Sequence, residues 1–311
     1  MIKKTVLVLC AIFFIATSAT MAQTASDFRA AAEKGDAEAQ YNLGFCYYSG
    51  KGVDKNESQV IYWWKKAAEQ GYDMAQYNLG QCYSAGIGVE ENQTQAVYWF
   101  KKAAEQGSAE AQYDLGTHYV TGMGVAKNPV QAAYWWKKAA EQGDADAQYN
   151  LGCCYEKGRG VEKDYTQAVY WYKKAAEQGK ASAQYNLGFC YGAGMGVAEN
   201  LVQAVYWFKK AAEQGDADAQ NGLGNCYSTG NGVEKNQFSA VYWYKKAAEQ
   251  EYDMAQYNLG VCYYNGIGVT LNKNHALYWF KKAVENGHNQ SSINKIINEL
   301  EAAGYTAIKP N

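Results

Sequence analysis

Apolar positions in this chain fall into two alternating stripes of helical period, and the pair of stripes recurs every 36 residues. Within residues 72–107 the first stripe is Ala75, Leu79, Cys82 and Tyr83, spaced by four, three and one. That spacing keeps apolar groups on one face of a helix with 3.6 residues per turn. Gly86-Ile87-Gly88-Val89 interrupts it, and the first of these glycines suits a left-handed helix end. The second stripe starts after Asn92, whose side-chain oxygen can accept an otherwise unpaired backbone N–H at a helix start. It runs through Ala96, Phe100 and Ala103 to Gln106, and Gly107 stops it. Each unit therefore reads as two helices joined by short turns.

The beat holds seven times. Leu-Gly recurs from Leu43-Gly44 to Leu259-Gly260, and Tyr-Trp recurs in step from Tyr62-Trp63 to Tyr278-Trp279. The capping position is Asn56, Asn92, Asn128, Asp164, Asn200, Asn236 and Asn272, and Pro129 follows one cap where a missing N–H costs nothing. A fixed period of about 20–50 residues marks a solenoid, propeller or array. Neither helix of a pair can hide its stripe alone, so the pairs must stack. The predicted fold is all-α, a right-handed α-solenoid of seven helix–turn–helix repeats over 36–71, 72–107, 108–143, 144–179, 180–215, 216–251 and 252–287. Residues 23–35 supply a half-helix cap. Residues 288–304 supply a closing helix with Ile293, Ile296, Ile297 and Leu300 on one face, and 305–311 form a tail. Glu251 breaks the pattern by replacing the glycine that ends every other second helix. A side chain is costly in that left-handed position, so this junction is expected either to hinge or to carry an extra half-turn.

Composition and the N-terminus narrow the classes. A formal charge of −2 excludes a strongly basic nucleic-acid footprint. Lys3 and Lys4 precede an apolar run from Thr5 to Ile15, and Thr20-Met21-Ala22 before Gln23 offers a small-residue exit. These are the parts of a secretory signal peptide over residues 1–22. The run is shorter than the roughly 20 residues that a membrane span needs. The mature chain is thus expected to be exported, periplasmic or secreted, with no span after cleavage. Cys10 follows Leu9, which is not the small residue an acylation site needs.

The recurring Ala-x-Ala-Gln-Tyr-Asn-Leu-Gly-x-Cys-Tyr, Gly-x-Gly-Val and Ala-x-x-Trp-aromatic-Lys-Lys-Ala-Ala-Glu-Gln-Gly resemble the Sel1-like repeat, a relative of the tetratricopeptide repeat, over about residues 26–300. The resemblance implies a non-catalytic scaffold with a concave groove, used in assembling protein complexes and in signalling, whose partner is a protein or an extended peptide. A cysteine-rich secreted branch of that family implies an alternative, a protein that binds or weakly hydrolyses β-lactams or cell-wall peptides. That branch bridges two cysteines within each repeat. Here Lys-Lys-Ala-Ala and Ala-Gln stand where those cysteines would lie.

Residue chemistry adds little to a binding role. Cys46, Cys82, Cys154, Cys190, Cys226 and Cys262 share one site, His118 takes it in the third repeat, and Cys153 is an extra neighbour. Stacked helices lie roughly 8–10 Å apart, whereas a disulfide tolerates Cα separations only to about 7 Å. The column therefore reads as small buried core groups, with Cys153 the most exposed thiol. Gly-x-Gly-Val follows a helix, not the strand that a dinucleotide loop requires. Ser292-x-x-Lys295 matches a serine β-lactamase spacing but lacks the accompanying Lys-Thr-Gly and Ser-Asp-Asn. His118, His275 and His288 are scattered, and no metal or cofactor is expected. The Lys-Lys column from Lys65-Lys66 to Lys281-Lys282 is followed each time by a glutamate, Glu69 to Glu285, and reads as a solvated outer face. The Tyr-Trp columns read as core.

A second stripe on the first helix carries the candidate groove. In repeat one it is Glu38, Tyr41, Asn42, Phe45 and Tyr48. Tyr41, Tyr77, Tyr113, Tyr149, Tyr185 and Tyr257 form an aromatic row that breaks at Asn221. Beside it the residue changes with every repeat. The candidate peptide-binding or partner-binding residues are Tyr41, Phe45, Tyr48, Tyr77, Gln81, Tyr113, Thr117, Tyr149, Glu156, Tyr185, Phe189, Asn225, Tyr257 and Tyr264.

Overall fold

The computed structural model describes residues 24–288 and 291–310. The expected leader over 1–22 lies outside them. Among the described residues there are sixteen α-helices and no strand. The first helices of the repeats are α2 (Ala37–Ser49), α4 (Asp73–Ala85), α6 (Ala109–Thr121), α8 (Ala145–Lys157), α10 (Ala181–Ala193), α12 (Ala217–Thr229) and α14 (Asp253–Asn265). The second helices are α3 (Glu57–Glu69), α5 (Gln93–Glu105), α7 (Pro129–Glu141), α9 (Tyr165–Glu177), α11 (Leu201–Glu213), α13 (Gln237–Ala248) and α15 (Lys273–Glu285). Helices α1 (Ala25–Glu33) and α16 (Ser291–Ala302) stand at the two ends. The chain divides into two compact units, Met1–Ala147 with Arg159–Val161, and Gln148–Gly158 with Glu162–Asn311. Within each unit the helix pairs pack in chain order, the arrangement of an α-solenoid repeat.

Local chemistry sets the helix ends. Every second helix starts on the expected Asn or Asp, whose side-chain oxygen accepts the backbone N–H three residues on at 3.0–3.1 Å. This satisfies a donor that has no partner inside the helix. The first helices end on left-handed glycines such as Gly50 and Gly86. The second glycine of Gly-x-Gly-Val answers to packing. A Cβ on Gly124 would collide with the Gln93 backbone carbonyl at the start of the preceding second helix. The loop is thus a close contact between repeats.

The Leu-Gly pair builds the core of each repeat. The seven leucines are at most 1% exposed. The adjacent glycine receives an aromatic ring from the second helix of its own repeat. A Cβ on Gly116 would lie 2.6 Å from Cδ1 of Trp136, and Trp64, Phe100, Tyr172, Phe208, Tyr244 and Phe280 face the other six glycines in the same way. The Tyr-Trp pair divides its labour, unlike the uniform core expected of it. Trp63, Trp99, Trp135, Trp171 and Trp279 are 5–8% exposed, whereas Tyr62, Tyr98, Tyr134, Tyr170, Tyr206 and Tyr242 are 47–54% exposed. Each tyrosine meets its tryptophan edge-on at 4.9–5.0 Å. A lysine four residues on lies over the tyrosine, as Lys66 does over Tyr62 at 4.8 Å.

A glutamine column forms a polar clamp between repeats. Gln40, Gln76, Gln112, Gln184, Gln220 and Gln256 are buried. Each donates to an alanine carbonyl near the end of the preceding helix, at 3.0–3.2 Å. Each of those carbonyls also accepts the backbone N–H three residues on, at 3.0–3.1 Å, so the glutamine adds a second donor at the helix end. Each glutamine also accepts from an amide at the end of its own repeat, for example Gln142 to Gln112 at 2.8 Å.

Glu251 does not lengthen the helix. It takes the left-handed conformation itself, with φ at 65°, and α13 stops at Ala248, one residue short of its equivalents. Its N–H still bonds to the Ala248 carbonyl at 3.1 Å, as the glycines do elsewhere. At the ends, α1 buries Ala25 and Ala32 against Leu43 and Trp63. Helix α16 buries Ile293, Ile297 and Leu300 against Leu277 and Phe280, with Ile296 half-buried beside them.

Candidate functional site: the face of the first helices

The tyrosine row rests on the aromatic ring that fills the Leu-Gly notch. Tyr77 lies 5.8 Å from Phe100, Tyr149 6.0 Å from Tyr172, Tyr185 5.7 Å from Phe208 and Tyr257 5.9 Å from Phe280. Tyr41 is buried between Trp64 at 6.1 Å and Tyr72 at 5.1 Å. The Tyr113 carbonyl accepts from Trp136 Nε1 at 3.2 Å. Apart from Tyr41 the row is half-buried, with part of each ring reaching solvent.

The varied positions beside the row answer partly to what lies behind them. Where the notch ring is a tyrosine, its hydroxyl reaches a polar partner on the first helix. Tyr172 donates to Glu156 and lies 3.3 Å from Cys153 Sγ, and Tyr244 donates to Asn225 at 2.7 Å. Thr117 closes on the Tyr113 carbonyl at 3.1 Å. Phe45 packs against Tyr48 at 6.2 Å, and Tyr48 in turn lies 6.1 Å from Trp64. Tyr264 sits under Lys273 and beside Phe280. Phe189 alone among these candidates is a large apolar group more than half exposed, at 51%. It borders a shallow cleft with Glu156, Tyr185, Asn186, Cys190 and Met195.

Gln81 is buried and links two repeats. Its amide donates to the Tyr77 hydroxyl at 3.0 Å and to the Asp114 carboxylate at 2.6 Å. Asp114 stands where five other repeats have Asn42, Asn78, Asn150, Asn186 and Asn258. Burial pushes its pKa up to about 7, with Asp144 and Glu110 adding to the rise against the hydrogen bonds from Tyr77 and Gln81. The pattern of the groove stripe offered a signal for this residue, the single acidic departure from an asparagine column.

A further column belongs to this face. At three junctions the residue after the turn that closes a repeat leans over a tyrosine of the row: Tyr72 over Tyr41, Lys180 over Tyr149 at 5.8 Å, and His288 stacked on Tyr257 at 4.7 Å. His288 also pairs through Nδ1 with Asp253 at 3.1 Å. In sequence these residues look like variable turn positions, and only the fold places them over the row.

The remaining chemistry is structural. No disulfide joins the described cysteines; Cys153 and Cys226 are half-buried and the other five are buried. Burial raises Cys190 and Cys262 to about 11, which keeps them protonated. His118 is buried, its Nδ1 is 2.8 Å from the Met123 carbonyl oxygen, and burial lowers its pKa. Lys65, Lys101, Lys137, Lys173 and Lys209 lie 3.8–3.9 Å from glutamates four residues on, on an exposed face. Lys295 pairs with Glu299 at 3.9 Å. Among the described residues no three metal-ligating side chains cluster, and no helix is long and apolar enough to cross a membrane.

Repeated helix pairs, a glycine notch for an aromatic ring and, within each unit, a clamp joining one pair to the next define an α-solenoid repeat scaffold. Seven Sel1 repeats match the chain, at 37–72, 73–108, 109–144, 145–180, 181–216, 217–252 and 253–288. The protein belongs to the Sel1 repeat family, and these units begin one residue later than the 36–71 series. Its structure is similar to that of a protective antigen of uropathogenic Escherichia coli strains that displays an SLR fold. The identity is 36% and the TM-score 0.81, over 92% of this chain and 62% of the antigen. The chain thus spans less than two thirds of that relative's length. It is also similar to a Sel1 repeat protein from Oxalobacter formigenes, with 33% identity and a TM-score of 0.69, over 89% of this chain and 79% of the other. No curated protein matches the chain. Sel1 repeats form a scaffold fold that typically serves protein–protein interaction.

Proposed function

We propose that this protein is a non-catalytic, exported scaffold that binds a partner protein through an extended segment laid along the face of the first helices. The observation that carries the reading is the contrast between two stripes of one helix. The Leu-Gly pair is identical in every repeat, while another stripe of the same helix sets a row of mostly half-buried tyrosines beside residues that change from repeat to repeat. A packed core requires identity, whereas a recognition surface uses rings that supply area at low entropic cost and neighbours that differ. The paired cysteines of the β-lactam-handling branch have no counterpart here, and no observation favours that branch. The basic head, apolar run and small-residue exit over 1–22 support export.

An array of random extended peptides, probed with the purified protein and with a Tyr77→Ala/Tyr113→Ala variant, tests the groove. Selective binding that the double variant loses is expected. Equal binding by both proteins sinks the reading. For export, mass spectrometry of the mature N-terminus is expected to begin at Gln23, and an intact Met1 argues against it.

A further inference from the structure

Charge is segregated between the two kinds of helix in the first unit. The second helices α3, α5 and α7 carry paired lysines, of which Lys65, Lys101 and Lys137 face glutamates on their own helix. The first helices α2, α4 and α6 contain no lysine or arginine, and they carry Glu38, Asp73, Glu110 and Asp114. Three of these acids have a local reason. Glu38, Asp73 and Glu110 sit in the first turn, where a carboxylate complements the helix dipole.

Asp114 has no such reason. It lies in the second turn of α6, half-buried, at a position that is asparagine in α2 and α4. Asparagine would keep the hydrogen bond from Gln81 without burying a charge. The groups acting on Asp114 are Tyr77 and Gln81 from α4, Glu110 on its own helix and Asp144 from the turn after α7, and none is cationic. Burying a carboxylate without a positive partner costs stability. The same helices hold exposed apolar groups, Met74 at 48%, one turn before Tyr77, and Val120 at 43%, two turns after Tyr113. Apolar surface and rings next to a carboxylate match the long alkyl stem and cationic head of lysine or arginine.

We propose that the face formed by α4 and α6 seats an extended, lysine- or arginine-bearing segment of a partner protein, with a cationic side chain drawn to Asp114 beside Tyr77 and Tyr113. This rests on the groove reading above and specifies its partner. The ligand's ammonium stays charged up to pH about 10, so Asp114 sets the pH dependence: it is charged above pH about 7 and neutral well below it.

The probes are fluorescein-labelled hexalysine, hexaglutamate and a Gly-Ser hexapeptide, titrated against the full-length mature protein by anisotropy. Saturable binding of hexalysine alone is expected at pH 8. It weakens about fivefold in Asp114→Asn, the scale of one partly buried ion pair. Wild-type affinity falls on going from pH 8 to 5.5, while the variant's changes less. The variant carries the residue that α4 already has, and a cooperative circular dichroism melt at or above that of wild type at pH 5 confirms that it folds. Equal affinity of wild type and variant, or equal binding of hexaglutamate, overturns the proposal. Array peptides that bind without basic bias and are lost in Tyr77→Ala/Tyr113→Ala overturn the basic specificity while leaving the groove. No peptide binding of any kind overturns both.

Discussion

Two positions show how single residues carry strain in this array. Glu251 holds a left-handed φ of 65° that seven other junctions assign to glycine. Left-handed backbone costs a side-chain-bearing residue about 1–2 kcal/mol, so Glu251→Gly is expected to raise stability by about 1 kcal/mol in urea titration. A loss would mean that the carboxylate compensates for the backbone. Asp114 stores a different cost. Its folded carboxyl keeps a proton to pH about 7, whereas an unfolded aspartate releases it near 3.8. Between these values the folded state binds more protons than the unfolded one, so the contribution of Asp114 to stability declines as pH rises from about 4 to about 7. Asp114→Asn is therefore expected to melt close to wild type at pH 4 and above it at pH 8. A constant difference across that range would contradict the assignment. The aspartate was visible in the sequence as an odd member of an asparagine column. Its contact with Gln81 of the preceding repeat was not, because that pairing spans 33 residues.

Between helices, energy is concentrated in two columns. Trp171 is 7% exposed and meets Tyr170 edge-on at 4.9 Å. Trp171→Ala is expected to cost about 3–5 kcal/mol, the range for emptying a large buried ring site. A negligible melting shift would show that the column contributes little. The glutamine clamp makes a separate contribution. Gln112→Leu preserves approximate volume but removes both the bond to the Ala104 carbonyl at 3.0 Å and the bond from Gln142 at 2.8 Å. A loss of about 1–3 kcal/mol is expected from the two missing bonds, and Gln112→Glu, which keeps an acceptor for Gln142 but has no donor for Ala104, should restore only part of it. Helix boundaries were legible from sequence because caps are local, an Asn or Asp accepting from the third residue on. The clamp was not, because a buried Gln in an Ala-Gln pair looks like ordinary helix surface until the next repeat is set beside it.

At the scale of the whole molecule, the ends govern how the array meets water. Helix α16 covers Leu277 and Phe280, each 1% exposed. Removing residues from Ser291 onward is expected to expose that surface, promote self-association in sedimentation and abolish slow hydrogen exchange in α14 and α15 before the other repeats. Uniform protection in the shortened chain would mean that the terminal repeat needs no cover. The sequence alone determined the number of repeats, the helix pairs, their caps and the all-α class, since each follows from periodicity and from contacts within a few residues. It also marked the tyrosine row. Only the tertiary structure decided which half of each Tyr-Trp pair is buried, and why the second glycine of each loop has no room for a side chain. It likewise decided that Tyr72, Lys180 and His288 cover tyrosines of the row, and that Asp114 lies against Gln81 of another repeat. Those outcomes depend on groups about one repeat apart meeting in space, and a linear pattern carries no distance between them.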